Sequence, residues 1–312
     1  MGEDGLQFRY APSQPLTQVV HGGFAAVNRG ADCVQPLVPA LRARTRYWTG
    51  HREPHNQAAL ACTAHGAGQH RDYGLEIDMK TIGIIGGIGP ESTVDYYKEI
   101  IAAFHTKYSD LAYPEIIVYS VNMNELMKFV ETKNWPELSE WLLEKIFSLH
   151  RAGAEFAAIA SNTPHIVFDE IKIKSPIPLL SIIEATCNKA QEMGLKNVGL
   201  MGTKLTMAAE FYKKPFVSKG ISVVVPSEEE QQLIHNKLFS EIELGIFKDS
   251  TREELLFIAK RMVDEEGIDS LILGCTELPL ILTESKYRIP FLNTSAIHCE
   301  SIITHCIEGK KP

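Results

Sequence analysis

Two short stretches carry the residues most able to do chemistry. Ser161 stands in Ala160-Ser161-Asn162-Thr163-Pro164-His165, and Cys275 stands in Gly274-Cys275-Thr276-Glu277. Each follows an apolar run and opens a polar turn. A lone cysteine after a strand is ordinarily a small core residue. A serine there ordinarily caps the next helix or hydrogen-bonds a ligand. The two stretches match one another, however, and matched strand ends put both groups on opposite sides of one cleft. That arrangement suits a reaction on both faces of one carbon. Racemisation is such a reaction: one group removes the Cα proton and the other delivers a proton to the opposite face. A thiol has an ordinary pKa of about 8.5, and nearby donors lower it, so Cys275 is expected to serve as a general base near neutral pH. An aliphatic alcohol needs a base or relay to abstract a proton and is less handicapped as a donor to a carbanion. Ser161 therefore stays open between proton donor, helix cap and substrate contact.

The neighbours extend the site. His165 follows Ser161 by four residues and reads either as a relay or as a satisfied structural histidine. Glu277 and Glu184 are candidate orienting acids, with Glu277 favoured because it directly follows Gly-Cys-Thr. In GGIGPEST (86–93), Ser92 replaces the third glycine of a dinucleotide fingerprint, so that reading is weak. Free N–H groups at a helix start beside Gly87, Ser92 and Thr93 suit a carboxylate. The matching loop MGTKLTM offers Thr203 and Thr206 as donors. Turn glycines and caps give the same pattern without a ligand. HCESIITHC (298–306) resembles a metal motif, but on a helix His298 and His305 are separated by a rise of about 10 Å. Zinc–nitrogen bonds are about 2 Å long, so no metal is expected and the stretch reads as an amphipathic helix. Cys62-Thr63-Ala64-His65 follows no apolar strand and is read as a chance echo.

The elements that must hold these residues are legible as alternating strands and helices. TIGIIGG (81–87) and EIIVYSV (115–121) read as buried parallel strands. ESTVDYYKEIIAAFHTKY (91–108) and WPELSEWLLEKIFSLHRAG (135–153) read as helices. Such alternation predicts a parallel sheet with helices on its faces. The body also repeats itself. KTIGIIGG from Lys80 resembles KNVGLMGT from Lys196, AGAEFAAIASNT from Ala152 resembles EGIDSLILGCTE from Glu266, and IPLL from Ile177 resembles IPFL from Ile289. A repeat near this spacing predicts two similar α/β domains with a ligand between them at the carboxyl ends of both sheets. The expected boundaries are 79–180 plus 293–312 for the first domain and 181–292 for the second, with the last helix packing back on the first.

Composition narrows the class. The 312 residues carry a formal net charge of −8, which argues against a nucleic-acid or anionic-membrane partner. No apolar run approaches the roughly 20 residues that span a bilayer, and the N-terminus lacks a signal-peptide pattern. Six cysteines in a chain this long suit a reducing cytosol rather than a disulfide framework. All 20 lysines lie at Lys80 or later, whereas seven of the 11 arginines precede it. Residues 1–78, with little periodicity, read as an appended or poorly ordered extension.

The motifs IGIIGGIGP, SNTPH and GCTE, in that order, resemble the aspartate/glutamate racemase superfamily of cofactor-independent amino-acid racemases. The resemblance covers 79–308. ESTVDYY, GTKLTMAAEFY and TSAIH are similar to the aspartate/glutamate-specific and broad-specificity subgroup. It implies two flavodoxin-like domains related by a pseudo-twofold axis, a homodimer, an amino-acid substrate, and proton transfer at Cα without pyridoxal phosphate or metal. By position it makes Cys275 one acid/base and puts Ser161 in the place of the other. It assigns Asn162, Thr163, Thr203 and Thr276 to the substrate's carboxylate or amino group. Many members carry cysteine where Ser161 stands, and the change predicts unequal forward and reverse directions. Members that prefer aspartate contact its side chain with basic residues from the loop after the second strand and from the second domain. Here the corresponding stretches, VNMNELMKF and EEEQQLIHN, offer Lys128 as the only cation. Aspartate or glutamate is thus expected from the family alone. Two other readings stay open: a one-sided decarboxylase or isomerase using the single thiol, and a binding protein that retains an amino acid without turning it over.

Overall fold

Strands covered by helices on both faces have no polar side to present, and here they form from short, continuously apolar runs. The computed structural model describes residues 79–107, 111–284 and 286–308. The extension read over 1–78, with Cys62 to His65, lies outside the described residues. The first half runs β1 (Ile82–Gly86), α1 (Pro90–Lys107), β2 (Ile116–Ser120), α2 (Met123–Thr132), α3 (Trp135–Arg151) and β3 (Phe156–Ile159), then a 3-10 turn (Thr163–Val167), α4 (Phe168–Lys174) and β4 (Leu179–Leu180). Its sheet has the order β2-β1-β3-β4, all parallel. The second half runs α5 (Ile182–Glu192), β5 (Asn197–Gly202), α6 (Lys204–Ala208), α7 (Glu210–Ser218), β6 (Ser222–Val224) and α8 (Glu228–Ser240). After a 3-10 turn (Ile242–Leu244) come α9 (Asp249–Glu266), β7 (Ser270–Gly274), α10 (Leu278–Ile281), β8 (Phe291–Asn293) and α11 (Thr294–Ile307). Its sheet has the order β6-β5-β7-β8, again all parallel. The fold is therefore α/β with two four-stranded parallel sheets of the same order.

Alternation along β1 divides the first core in two. Ile82 and Ile84 face Tyr96, Ile100 and Phe104 of α1 and Cys299, Ile302 and Cys306 of α11. Ile85 faces the other way, toward Leu126 of α2 and Leu138, Leu142 and Ile146 of α3. The last helix thus follows the second sheet in sequence but is buried against the first. His298 is part of that packing: Nδ1 lies 2.9 Å from Tyr96 Oη and Nε2 lies 3.2 Å from the Leu180 carbonyl. With Nε2–H donating to the carbonyl, Nδ1 accepts from the tyrosine, and both ring nitrogens are used. His305 lies with its ring 4.7 Å from that of Phe156 and Nε2 3.4 Å from Lys80 Nζ.

One element departs from expectation. VNMNELMKF, read as loop, contains α2. Asn122 caps it by accepting from the Asn124 N–H at 3.0 Å, and Lys133 ends it in the left-handed region at φ 52°. Met123, Leu126, Met127 and Val130 recur at the spacing of one helix face.

Candidate active site

Every central strand ends at the same rim. Ser161, Asn162 and Thr163 follow β3, Thr203 follows β5, and Cys275, Thr276 and Glu277 follow β7. All of them line one cavity. Parallel sheets place ligands at this position, beyond the carboxyl ends of the strands. The hydroxyls are already tied across the two halves. Thr163 Oγ1 lies 3.2 Å from Thr203 Oγ1 and 3.4 Å from Thr206 Oγ1, and the latter two are 3.0 Å apart. Thr203 also caps α6 by accepting from the Thr206 N–H. Asn162 Nδ2 donates to Thr294 Oγ1 at 3.2 Å, and that hydroxyl donates to the Leu273 carbonyl of β7. Ser161 is buried on the cavity wall and is not a helix cap: Asn162 holds the N-cap position of the turn that follows.

Cys275 lies between two carboxylates. Its Sγ donates to Glu277 Oε2 at 3.3 Å and approaches Glu243 Oε1 at 3.4 Å, while Thr276 Oγ1 donates to Glu277 Oε2 at 2.8 Å. Burial, and then the charges of Glu277 and Glu243, push the thiol well above its ordinary range. The sequence reading expected nearby donors to lower it. The groups actually beside it are acceptors, so the resting form is the thiol. Glu243 was not foreseen. It reaches the cavity from the 3-10 turn after α8, and burial together with the neighbouring Glu277 raises its carboxyl from 4.5 to about 8. Three buried acceptors, Asn162 Oδ1, Glu243 Oε2 and Glu277 Oε1, lack a donor among the described residues.

The sign of the Glu243 shift gives a stability prediction. Its folded form keeps a proton that the unfolded chain releases, so its contribution is full below about pH 4.5 and is lost as pH rises through about 8. Glu243→Gln is expected to flatten the fall in Tm between pH 6 and 9, a difference of a few kcal/mol by linkage. Thermal unfolding across that range checks it, and parallel curves for the two proteins would refute it.

Gly89 closes over the same carboxylates. A Cβ there would sit 2.3 Å from Glu277 Oε1 and 2.8 Å from Glu243 Oε2. Gly89→Ala must therefore push two buried carboxylates aside. Overpacking of this kind destabilises by about 1–3 kcal/mol; a lowered Tm is expected, and an unchanged Tm would show that the loop yields freely.

Other expected contacts lie elsewhere. Gly87 takes a φ of 83°, and its N–H donates to Thr93 Oγ1 at 2.9 Å. Ser92 and Thr93 both donate to the Gly89 carbonyl. These three donors are thus turned on the loop itself. His165 lies beneath the rim, with its ring stacked on Phe168 at 4.8 Å and Nε2 accepting from the Ile182 N–H at 3.3 Å. Burial lowers it to about 3, so it stays neutral near pH 7. Glu184 pairs with Lys172 at 3.1 Å on the exposed start of α5. One ligand-type atom from each of Glu243, Cys275 and Glu277 lies within 4.8 Å of the others, the one such grouping among the described residues. The thiol has one proton to share with carboxylate oxygens 3.3 and 3.4 Å away, and no imidazole joins the set.

A thiol and an alcohol at matched strand ends, with hydroxyls and carboxylates around one cavity, stand where α/β enzymes hold their ligands. The sequence pattern of the Asp/Glu/hydantoin racemase family matches residues 85–302, and the chain belongs to that family. It is 25% identical over 228 residues to the broad specificity amino-acid racemase RacX of Bacillus subtilis, an alignment covering 72% of this chain and 96% of that relative. It is 28% identical over 147 residues to the glutamate racemase of Enterococcus faecalis, covering 46% of this chain and 50% of that one. A solved aspartate racemase homologue from Pyrococcus horikoshii is similar with a TM-score of 0.65 and 39% identity, covering 74% of this chain and all of that one.

Proposed function

We propose that this chain is a cofactor-independent amino-acid racemase that moves the Cα proton between Cys275 and Ser161. The observation that carries the reading is the shared cavity: the thiol from the end of one sheet and the alcohol from the equivalent end of the other line the same space. The hydroxyls of Thr163 and Thr203 and the amide of Asn162 supply donors for the substrate's carboxylate, with Thr276 turning to it from Glu277 when substrate binds. The donorless oxygens of Asn162, Glu243 and Glu277 suit an ammonium, which carries three N–H groups. An ammonium beside the two carboxylates offsets the charges that hold the thiol protonated. Cys275 then passes its proton to Glu277 Oε2, and the thiolate takes the Cα proton. Ser161 gives its hydroxyl proton to the opposite face of the carbanion, and solvent carries the proton held on Glu277 back to the serine oxygen. Glu277 is a positioning residue for the thiol, and His165 supports the backbone of the rim from below.

Domain boundaries at 79–180 plus 293–312 and at 181–292 belong to the proposal, supported by the burial of α11 against the first sheet. So do a cytosolic location and the homodimer that the resemblance implies. No helix among the described residues is long and apolar enough to cross a membrane.

Incubation with each enantiomer of a panel of amino acids in deuterated water, with a chelator present, tests the function. Label at Cα of an inverted product is expected; no exchange with any amino acid would refute the reading. The single thiol among the cavity-lining residues also fits a one-sided decarboxylase. Carbon dioxide release from a malonate-type acid, without inversion of any amino acid, would favour that alternative.

A further inference from the structure

Among the described residues, the wall facing the catalytic rim carries no lysine or arginine. Its apolar part is built from Met123, Leu126, Met127 and Val130 of α2, with Leu205 of α6 and Phe239 of α8 opposite. The acidic residues on the lining are Glu243 and Glu277. His235 also borders the cavity, with its ring 4.8 Å from that of Phe239, and it accepts through Nδ1 from the Lys204 N–H. That bond occupies Nδ1 and leaves the proton of the neutral ring on Nε2, while the ammonium of Lys204 is bound to Gln232. Lys128, the one cation the sequence offered here, is an exposed residue of α2 and is absent from the cavity wall. A side-chain carboxylate in this space would lose water and meet two acidic groups, with no lysine or arginine on the described lining to offset them. Methylene and thioether groups would instead meet a surface of their own kind. Two methionines make that surface adaptable to side chains of different length.

We infer that the side-chain subsite selects amino acids with neutral, apolar, unbranched or thioether side chains rather than aspartate or glutamate. This rests on the racemase reading and names its substrate class. The α-ammonium and α-carboxylate are bound at the polar rim, and the side chain lies along the apolar face of α2. Each added methylene removed from water strengthens the contact by an amount worth roughly fourfold in kcat/KM.

The test compares initial rates of Cα deuterium exchange and inversion for 2-aminobutyrate, norvaline, norleucine and methionine against aspartate, glutamate and glutamine. A rise of roughly fourfold per methylene is expected across the apolar series, with aspartate and glutamate at least about tenfold below norleucine. Glutamate or aspartate outrunning the apolar series would overturn the inference while leaving the racemase reading intact. No exchange with any substrate would overturn both. Two variants locate the determinant. Met127→Arg puts a cation on the wall and is expected to shift the glutamate-to-norleucine ratio by about tenfold or more toward glutamate. Lys128→Met, on the exposed part of the same helix, is expected to leave the ratio unchanged. A selective loss of acidic-substrate turnover in Lys128→Met would show that Lys128 reaches the substrate and would refute the subsite.

Discussion

Replacing Cys275 by serine is expected to abolish inversion and Cα exchange together, lowering kcat by about 10²–10⁴-fold with little change in Tm. The range is that of a positioned general acid or base. Serine preserves the volume and hydrogen-bonding character of the side chain, and Glu277 and Thr276 remain to hold it. The loss comes from proton affinity: an alcohol beside two acidic groups cannot be ionised near neutral pH, whereas a thiol beside a substrate ammonium can. Deuterium exchange from each enantiomer measures the effect directly. Residual exchange at the wild-type rate would mean that Glu277 or Glu243 is the base and the sulfur a spectator.

Replacing Ser161 by alanine is expected to separate exchange from inversion. The enantiomer presented to Cys275 should still lose its Cα hydrogen to solvent, because the thiol, Glu277 and Glu243 form one proton-sharing group. Inversion should fall by about 10²–10⁴-fold for want of a donor on the far face. Ser161→Cys is expected to restore inversion or raise it. Chiral analysis beside the label count distinguishes the two quantities. Inversion unaffected in Ser161→Ala would place the second donor elsewhere, with Thr163 or a solvent molecule as the remaining source.

The chain announces much of this site and hides the rest for physical reasons. Strands buried on both faces read as apolar runs, and the duplication aligns Ser161 with Cys275, so both groups and the parallel sheets were legible. The α2 helix was not, because a ten-residue helix opened by Asn122 competes with a loop reading when its apolar spacing is not weighed. Glu243 was invisible for a different reason. It sits in a single 3-10 turn closed by Gly245 at φ 71°, and no local pattern says that such a turn lies over a cysteine 32 residues later in the chain. Gly87 and His165 have partners that spacing alone does not reveal. Spacing says that a donor is near; it does not say that Thr93 or Ile182 has already engaged it.

One end of the paired strands presents oxygen and the other sulfur, and thermodynamics limits what that difference can do. Mirror-image substrates have the same free energy in solution, so the equilibrium constant of a racemisation is unity. The Haldane relation then requires the same kcat/KM in both directions, whatever groups stand on the two sides. The oxygen–sulfur asymmetry can therefore appear only as a compensated pair. The enantiomer that turns over slowly must also have the lower KM, by the same factor. Assays at saturating and at trace substrate should disagree about which hand the protein prefers: saturation reports a bias, and trace concentration reports none. Exchanging the two atoms through the double change Ser161→Cys and Cys275→Ser should reverse the bias at saturation and leave the trace-level equality untouched.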